Sequence, residues 1–269
     1  MTRVIIAGAG GRMGKRIGYM VHQHKDLEIA GGFEQPGSPL VGKDIGEIGG
    51  YGPVGVAITD NAAEAMARGD VTIDFTFHEA TMGFARQAAK LQKAMVIGTT
   101  GLSRDNLAEL ATLAKNFPCV QAPNMAVGVN VLFKVAAKVA GILGNDYDIE
   151  IIEAHHRMKK DAPSGTALKL GEMVAEAVHR DLDQVGVFAR HGIIGERTAQ
   201  EIGIQTIRAG DIVGEHTVYF AGAGERLELT HRAHSRDNFA RGAAVAAAWV
   251  ANQPNGLYNM FDVLGLADL

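Results

Sequence analysis

A short segment in the second half of the chain concentrates side chains that can transfer protons and bind anions. Residues 155–160 read His-His-Arg-Met-Lys-Lys, directly after a predicted strand at 148–154. A histidine suits acid–base work at neutral pH because the pKa of a free imidazole is about 6.5. Lysine and arginine pair with carboxylates. The segment is therefore predicted to bind an acidic ligand and to protonate it.

The residues after this basic loop indicate the class of ligand. Pro163 suits the first turn of a helix, and Ser164, Gly165 and Thr166 supply hydroxyl and backbone N–H groups at a helix start. A helix N-terminus facing cationic side chains attracts carboxylates, so we expect a small acid with one or two of them. We predict no metal, because adjacent side chains of an extended segment point to opposite faces. A solvated basic loop without function is the alternative.

A second motif lies near the start of the chain, where residues 8–14 read Gly-Ala-Gly-Gly-Arg-Met-Gly after an apolar strand. Glycines let backbone N–H groups approach a pyrophosphate, and the following helix adds positive potential. The third glycine of the common G-x-G-x-x-G pattern would fall at Met13, so the spacing departs from that pattern. Glu34, about twenty residues on, could accept both adenosine ribose hydroxyls. A tight turn without a ligand is the alternative.

Three further predicted strands end in small or polar residues, at 74–76, 98–101 and 122–125. Ligands of open α/β sheets bind beyond the carboxyl ends of the strands. These loops are therefore predicted to line the nicotinamide half of a dinucleotide groove.

The elements that position these motifs fall into two groups. Up to residue 126, predicted strands alternate with helices, which indicates βαβ units and a parallel sheet; the glycine-rich residues 42–55 are predicted to form a loop. Three extended runs then follow one another at 201–208, 215–220 and 226–234, the last two joined by a hairpin-like turn at 221–224. The predicted fold is α/β, with a Rossmann dinucleotide-binding domain at 1–126 and 236–269. A second α+β domain on a mixed sheet, at 127–235, would bind substrate and form oligomer contacts.

The composition excludes several classes of protein. The 269 residues are 47% hydrophobic and 21% charged with a net charge of −4, which argues against disorder and against broad nucleic-acid binding. The single cysteine, Cys119, excludes a disulfide framework and a multi-cysteine zinc site. No apolar stretch reaches the ~18 residues of a membrane helix, and no signal peptide is visible. We therefore expect a cytoplasmic protein without membrane or nucleic-acid partners.

Taken together, these motifs resemble the dihydrodipicolinate reductase family, and the resemblance runs nearly end to end. It rests on the glycine loop at 8–14, on Gly-Thr-Thr-Gly at 98–101, and on residues 153–166. A fourth segment, Arg-Ala-Gly-Asp-Ile-Val-Gly-Glu-His at 208–216, also matches. The family reduces a cyclic dicarboxylate with NAD(P)H in the bacterial diaminopimelate and lysine pathway, and it forms homotetramers through the central sheet. The resemblance implies the same reaction here, in a cleft between the two domains.

The resemblance also implies roles for individual residues. His155 would be the proton donor and Lys159 the catalytic cation, with His156 touching the substrate. The Ser164–Thr166 helix start, through Ser164, Gly165 and Thr166, would hold a carboxylate. The dinucleotide would be bound by Gly8, Ala9, Gly10, Gly11, Arg12, Met13, Glu34, Gly98, Thr99, Thr100, Ala122, Pro123, Asn124 and Met125.

One position departs from the family pattern. Many members place a basic residue after the acidic strand end, where it can meet the 2′-phosphate of NADPH, and here that position is Gln35. Glu34 would repel the phosphate, and only Arg12 is near enough to offset it. We therefore expect NADH to be favoured, or both cofactors to be used.

Two other functions fit part of the pattern. A sensor that binds a dinucleotide without turnover would explain the glycine loop, but it would leave the histidine and lysine cluster idle. A dehydrogenase of an amino or hydroxy acid would work efficiently in the oxidative direction. Loss of nicotinamide absorbance with candidate acids separates these readings.

Overall fold

The computed structural model describes all of residues 1–269, and they form two compact units. Unit 1 comprises Met1–Val127 and Arg236–Ala267, and unit 2 comprises Gly128–Ser235 with Asp268–Leu269. Residue 127, predicted to open the second domain, thus belongs to unit 1, and the last two residues belong to unit 2.

Unit 1 alternates strands and helices as the sequence predicts. Its elements before residue 127 are β1 (Thr2–Ala7), α1 (Arg12–His22), β2 (Leu27–Phe33), α2 (Ile45–Gly49), α3 (Ala62–Arg68), β3 (Val71–Asp74), α4 (His78–Leu91), β4 (Ala94–Ile97), α5 (Arg104–Leu113) and β5 (Pro118–Gln121).

The second group of elements begins at the unit boundary and ends with the return to unit 1. It consists of α6 (Val127–Leu143), β6 (Asp148–His155), α7 (Gly165–Ala177), α8 (Leu182–Val185), β7 (Gly186–Val187), β8 (Ile202–Arg208), β9 (Gly214–Gly222), β10 (Glu225–Ala233), and, back in unit 1, α9 (Asp237–Val250), β11 (Gly256–Tyr258) and α10 (Met260–Val263).

The unit 1 sheet is parallel throughout, with strand order β11-β5-β4-β3-β1-β2. Its strands are apolar on both faces because helices cover both. Val4 and Ile6 of β1 share one core with Ile17 of α1, whereas Ile5 shares the other with Ala85 of α4. Strand β1 lies between β2 and β3, where the strand order reverses. This is the position at which open α/β sheets bind ligands.

The prediction of a loop at residues 42–55 is wrong in part, because α2 lies within it. The carboxylate of Asp44 accepts hydrogen bonds from the N–H groups of Gly46 and Glu47 at the helix start. It also accepts three more from residues 54–56. Gly50 then ends the helix in the left-handed conformation, with φ of 79°. An aspartate cap and a glycine terminator therefore make a helix of a glycine-rich segment.

Unit 2 is built on a five-stranded mixed sheet with order β10-β9-β6-β8-β7. Strand β6 pairs with β8 in parallel and with β9 in antiparallel fashion, and a tight turn at Gly224 joins β9 to β10. Ile149 and Ile151 of β6 are buried on one face, where α7 packs. Because side chains alternate along a strand, Glu153 and His155 follow on that same face.

One helix, Val127–Asp146 with its final short turn, is long and apolar enough to span a membrane by length and composition alone. The expectation that no segment passes this test is therefore wrong. Although Lys134 and Lys138 interrupt the apolar residues of this helix, the helix as a whole remains as apolar as a membrane span. A third of its most apolar window is buried, and core helices of soluble proteins pass the same test.

Candidate active site

The glycine loop of residues 8–14 brings the start of α1 close to the end of β1. A Cβ atom at Gly14 would lie 2.1 Å from the carbonyl oxygen of Gly8, so the helix can pack here only without a side chain. Gly8 itself has φ of 63°. Gly11 caps α1 without a side-chain hydrogen bond, which leaves the first-turn N–H groups available to an anion.

Glu34 reaches this loop from the end of β2. Its Oε1 accepts a hydrogen bond of 2.8 Å from the backbone N–H of Gly10. A Cβ atom at Gly10 would lie 2.1 Å from Leu40 Cδ1 and 3.2 Å from Glu34 Oε1. A side chain here would displace the end of Leu40 and press on the carboxylate, so glycine favours the close approach of Glu34. This approach places a half-exposed carboxylate beside the predicted anion site.

A pocket of about 290 Å³ lies at the carboxyl ends of the unit 1 strands. It is lined by Arg12, Met13, Phe75, Pro123, Asn124, Met125, Arg236 and Phe239. The structure thus brings predicted residues of the glycine loop together with those of the 122–125 loop. Ala122 is itself buried beneath that loop, where its N–H donates to the carbonyl of Ile97. Sequence reasoning missed Arg236 and Phe239, which the chain supplies when it returns at α9.

The loop after β4 shapes one wall of this pocket. A Cβ atom at Gly98 would lie only 2.2 Å from Phe75 Cζ, so the glycine makes room for the aromatic ring. Thr99 is 5% exposed, and its hydroxyl donates to the carbonyl of Asp74. Thr100 is exposed. Of the predicted trio, Thr99 therefore holds the loop in place, and Thr100 faces solvent.

Asp74 is a buried carboxylate at the end of β3. It accepts hydrogen bonds from the Thr76 N–H at 2.8 Å and from the hydroxyls of Thr76 and Thr81, both at 2.6 Å. Burial raises the pKa of Asp74, and these hydrogen bonds oppose the rise. The carboxylate fixes the loop whose Thr76 methyl packs against Gly8.

These features fit a nicotinamide dinucleotide. The open N-terminus of α1 suits the pyrophosphate, the carboxylate of Glu34 suits ribose hydroxyls, and the pocket bordered by Phe75 suits a flat ring. The six parallel strands deliver all three to one edge of the sheet.

The second site lies in unit 2, at the end of β6. The side chain of His155 is 12% exposed, and its Nδ1 lies 2.6 Å from Glu153 Oε2. Its ring meets that of His216 edge to face, with 5.3 Å between the centroids. The Ala209 N–H donates to the His155 carbonyl, which fixes the end of the strand.

Helix α7 begins beside this histidine. Ser164 is its N-cap and accepts from the Ala167 N–H at 3.1 Å, while the Ser164 N–H donates to Glu153 Oε1 at 2.9 Å. The space next to Gly165 is open. The prediction that Pro163 occupies the first helical turn is wrong. It precedes the cap, in a cis peptide bond with Ala162, because the serine hydroxyl takes the capping position.

The other predicted residues of this segment differ in their surroundings. Lys159 Nζ lies 2.9 Å from Asp161 Oδ2, and the lysine lowers the pKa of that carboxyl. The side chain of Asp161 is 61% exposed, so solvent weakens the pair. His156 Nδ1 is buried without a hydrogen-bond partner. Thr166 lies half-exposed in the first turn of α7.

Two buried ionisable groups complete the site. Burial raises the pKa of Glu153, but hydrogen bonds from His155, Arg208 and Ser164 outweigh it and hold the pKa well below its ordinary value. Burial, together with repulsion from His155, lowers the pKa of His216 to about 3. At neutral pH the site therefore holds a buried anion and a neutral histidine. Sequence reasoning assigned no role to Glu153 or Arg208.

Comparison with known proteins gives concordant matches to both units. A family model described as "Dihydrodipicolinate reductase, N-terminus" matches residues 2–125, and one described as "Dihydrodipicolinate reductase, C-terminus" matches residues 128–264. The 4-hydroxy-tetrahydrodipicolinate reductase of Desulfotalea psychrophila is 67% identical over 269 residues and the full length of both chains. That of Syntrophobacter fumaroxidans is 57% identical over 99% of this chain and 100% of its own.

A solved structure extends the similarity to the fold. Dipicolinate-bound dihydrodipicolinate reductase from Paenisporosarcina sp. TG-14 superimposes with a TM-score of 0.78 at 26% identity. The match covers 97% of this chain and 98% of that one.

Proposed function

Because the chain belongs to the dihydrodipicolinate reductase family, we propose that it reduces 4-hydroxy-tetrahydrodipicolinate to tetrahydrodipicolinate with a nicotinamide dinucleotide. This places it in diaminopimelate and lysine biosynthesis as an NAD(P)H-dependent oxidoreductase. The observation that carries the proposal is the pairing of His155 with the start of α7 through one buried carboxylate. That arrangement suits the protonation of a small dicarboxylate.

Unit 1 holds the cofactor in this proposal, and when bound the dinucleotide supplies the hydride. The glycine loop and the first turn of α1 bind its pyrophosphate, and the 98–100 and 122–125 loops bind the nicotinamide end. Glu34 accepts the ribose hydroxyls, exchanging its bond to Gly10 for them. Because a carboxylate repels a 2′-phosphate and Gln35 offers no positive charge, NADH is favoured or both cofactors are used.

Unit 2 holds the substrate. Lys159 and the helix start at Gly165 and Thr166 neutralise the carboxylates, with His156 as a further contact. Ser164 holds this helix start in place, because its N–H is bound to Glu153 and its hydroxyl to the Ala167 N–H. Hydride addition pushes negative charge into the substrate ring, so fixed positive groups stabilise the transition state more than the ground state. His155 delivers the proton to the ring carbon next to the one that is reduced.

The assembly in this proposal is a cytoplasmic homotetramer, which the family resemblance supports. The surface available for it is the unit 2 sheet, whose edge strand β10 carries mostly exposed side chains. Sedimentation of the purified chain measures the assembly, and a monomer at all concentrations would contradict it.

A coupled assay tests the reaction. The preceding aldol-type synthase generates the substrate, and NADH absorbance reports its reduction. We expect His155→Gln to lower kcat by about 10²–10⁴ with little change in KM, the usual effect of removing a general acid. Lys159→Ala should impair both constants because the lysine serves binding and charge stabilisation. NADH binding without turnover in the unmodified chain would instead support the sensor function.

A further inference from the structure

Glu153 occupies a position where the strand pattern calls for an apolar residue. It follows Ile149 and Ile151 on the face of β6 that α7 covers, and it is 0% exposed. Ionised carboxylates are rarely buried so completely unless they are paired, because their desolvation costs several kcal/mol. We therefore infer that this carboxylate has a function that compensates for the free-energy cost of its burial.

The contacts of Glu153 divide between its two oxygens. Oε2 lies 2.6 Å from His155 Nδ1 and accepts from Arg208 Nη1 at 2.8 Å. Oε1 accepts from the Ser164 N–H at 2.9 Å, from Arg208 Nη2 at 2.8 Å and from the Thr206 hydroxyl at 3.2 Å. Oε2 thus contacts the proposed proton donor, and Oε1 contacts the helix start at the proposed carboxylate site.

We propose that Glu153 is the positioning residue of this enzyme: its carboxylate fixes which nitrogen of His155 carries the transferable proton and ties that ring to the start of α7. This inference rests on the proposed function, since it assigns the geometry by which His155 and the helix start act together.

The hydrogen-bonding capacity of a carboxylate determines the orientation of the ring. An ionised carboxylate only accepts, so His155 Nδ1 must carry a hydrogen to bind it at 2.6 Å. The transferable proton of the imidazolium is then the one on Nε2. Nε2 lies on the side of Gly214, where a Cβ atom would come within 3.1 Å, so glycine leaves Nε2 room that a side chain would take.

Arg208 keeps the carboxylate ionised and in place. Its guanidinium pairs with both oxygens of Glu153 and also donates to the Asp161 carbonyl at 2.6 Å, so it spans the basic loop. A carboxylate held at both oxygens cannot rotate away from His155. An ion pair that served stability alone would need neither the histidine nor the Ser164 contact.

The first test uses the unmodified full-length chain without ligands. Nitrogen NMR of the imidazole, assigned by the signal lost in His155→Gln, reports which ring nitrogen carries hydrogen when His155 is neutral. We expect the hydrogen of the neutral His155 ring to be on Nδ1. A neutral ring with hydrogen on Nε2 would overturn it, whatever the catalytic activity.

The second test compares Glu153→Gln with the matched control Thr206→Val. The glutamine amide can donate to His155 Nδ1, which moves the hydrogen to Nε2 in the neutral ring, and kcat should fall about 10²–10⁴-fold. Binding of dipicolinate, measured by calorimetry, should weaken less than kcat falls. Thr206→Val removes one donor to the same carboxylate but touches neither His155 nor Ser164, so kcat should stay within about threefold of the unmodified value.

The outcomes separate this inference from the proposed function. An inactive unmodified chain refutes the function, while the NMR result still decides the positioning role. An active chain whose Glu153→Gln variant keeps its kcat and its Nδ1-bound hydrogen refutes the positioning role alone. If Glu153→Gln does not fold, the NMR measurement on the unmodified chain decides.

Discussion

Gly98→Ala tests whether the Phe75 ring forms a wall of the cofactor pocket. The backbone at Gly98 lies outside the left-handed region, so alanine can adopt it without strain. The added Cβ atom, however, would lie 2.2 Å from Phe75 Cζ and 2.5 Å from each of the two adjacent ring carbons. The prediction therefore concerns one steric contact at one position.

The distances set the size of the effect. Carbon atoms in contact prefer about 3.5–4.0 Å, so the tip of the ring must retreat by about 1.3 Å or more. Phe75 is half-buried and borders the pocket of about 290 Å³, so it can move without breaking the core. The free energy of unfolding should fall by about 1 kcal/mol, the low end for overpacking. A displacement of about 1 Å beside the cofactor should lower kcat/KM about 10²-fold.

The assay is a double-mutant cycle that combines Gly98→Ala with Phe75→Leu. The measured quantity is kcat/KM for the cofactor in each of the four proteins. If Gly98→Ala lowers kcat/KM by displacing the Phe75 ring, it should change kcat/KM by less than about threefold in the Phe75→Leu protein, which lacks that ring. Gly83→Ala is the matched control, because a Cβ atom there meets nothing within 4 Å and should leave activity unchanged. Unmodified kinetics in Gly98→Ala, or an equal loss in both backgrounds, would refute the assignment of Phe75 to the pocket.

Three further outcomes follow from other contacts. Gln35→Arg should raise the ratio of kcat/KM for NADPH over NADH at least about tenfold, because a guanidinium can pair with the 2′-phosphate that Glu34 repels; an unchanged ratio would contradict this role. Gly14→Ala should lower the free energy of unfolding by about 3 kcal/mol or more in urea titrations, since its Cβ would lie 2.1 Å from the backbone oxygen of Gly8. For His216 the folded pKa of about 3 lies below the ordinary value near 6.5, so the unfolded chain binds the proton first as pH falls. Stability should then drop by about 2 kcal/mol between pH 7 and pH 5, and His216→Asn should remove that part of the pH dependence in denaturation curves.

The parallel domain was predictable because its signals are local. Each strand of unit 1 is a short apolar run, and each helix repeats its apolar positions every three to four residues. The sequence pattern predicts helices near 62–68 and at about 237–250, and α3 and α9 occupy these residues. The glycine loop needs no long-range information either, since only glycine permits φ of 63° at Gly8 and the tight passage at Gly14.

The unpredicted parts of the two sites depend on contacts between distant residues. Arg208 reaches Glu153 across 55 positions of the chain, and nothing near either residue marks the pairing. Phe239 joins a pocket whose other walls come from the first half of the chain. At α2 the cap at Asp44 and the terminator at Gly50 are local, but the bonds that anchor Asp44 to residues 54–56 reach ten to twelve positions ahead. The two loop motifs predicted the ligand classes but could not supply these partners.

Both proposed sites contain a glutamate carboxylate that accepts a backbone N–H, but the two carboxylates differ in their freedom to move. In each, a glutamate carboxylate accepts a backbone N–H just before a helix, Gly10 for Glu34 and Ser164 for Glu153. Glu34 is half-exposed and the loop N–H is its one hydrogen-bond donor, so it can trade that bond for a ribose hydroxyl. Glu153 is buried and is held at both oxygens by Arg208, so it cannot turn toward a ligand. We therefore expect the first carboxylate to contact a ligand and the second to act only through the groups that it holds.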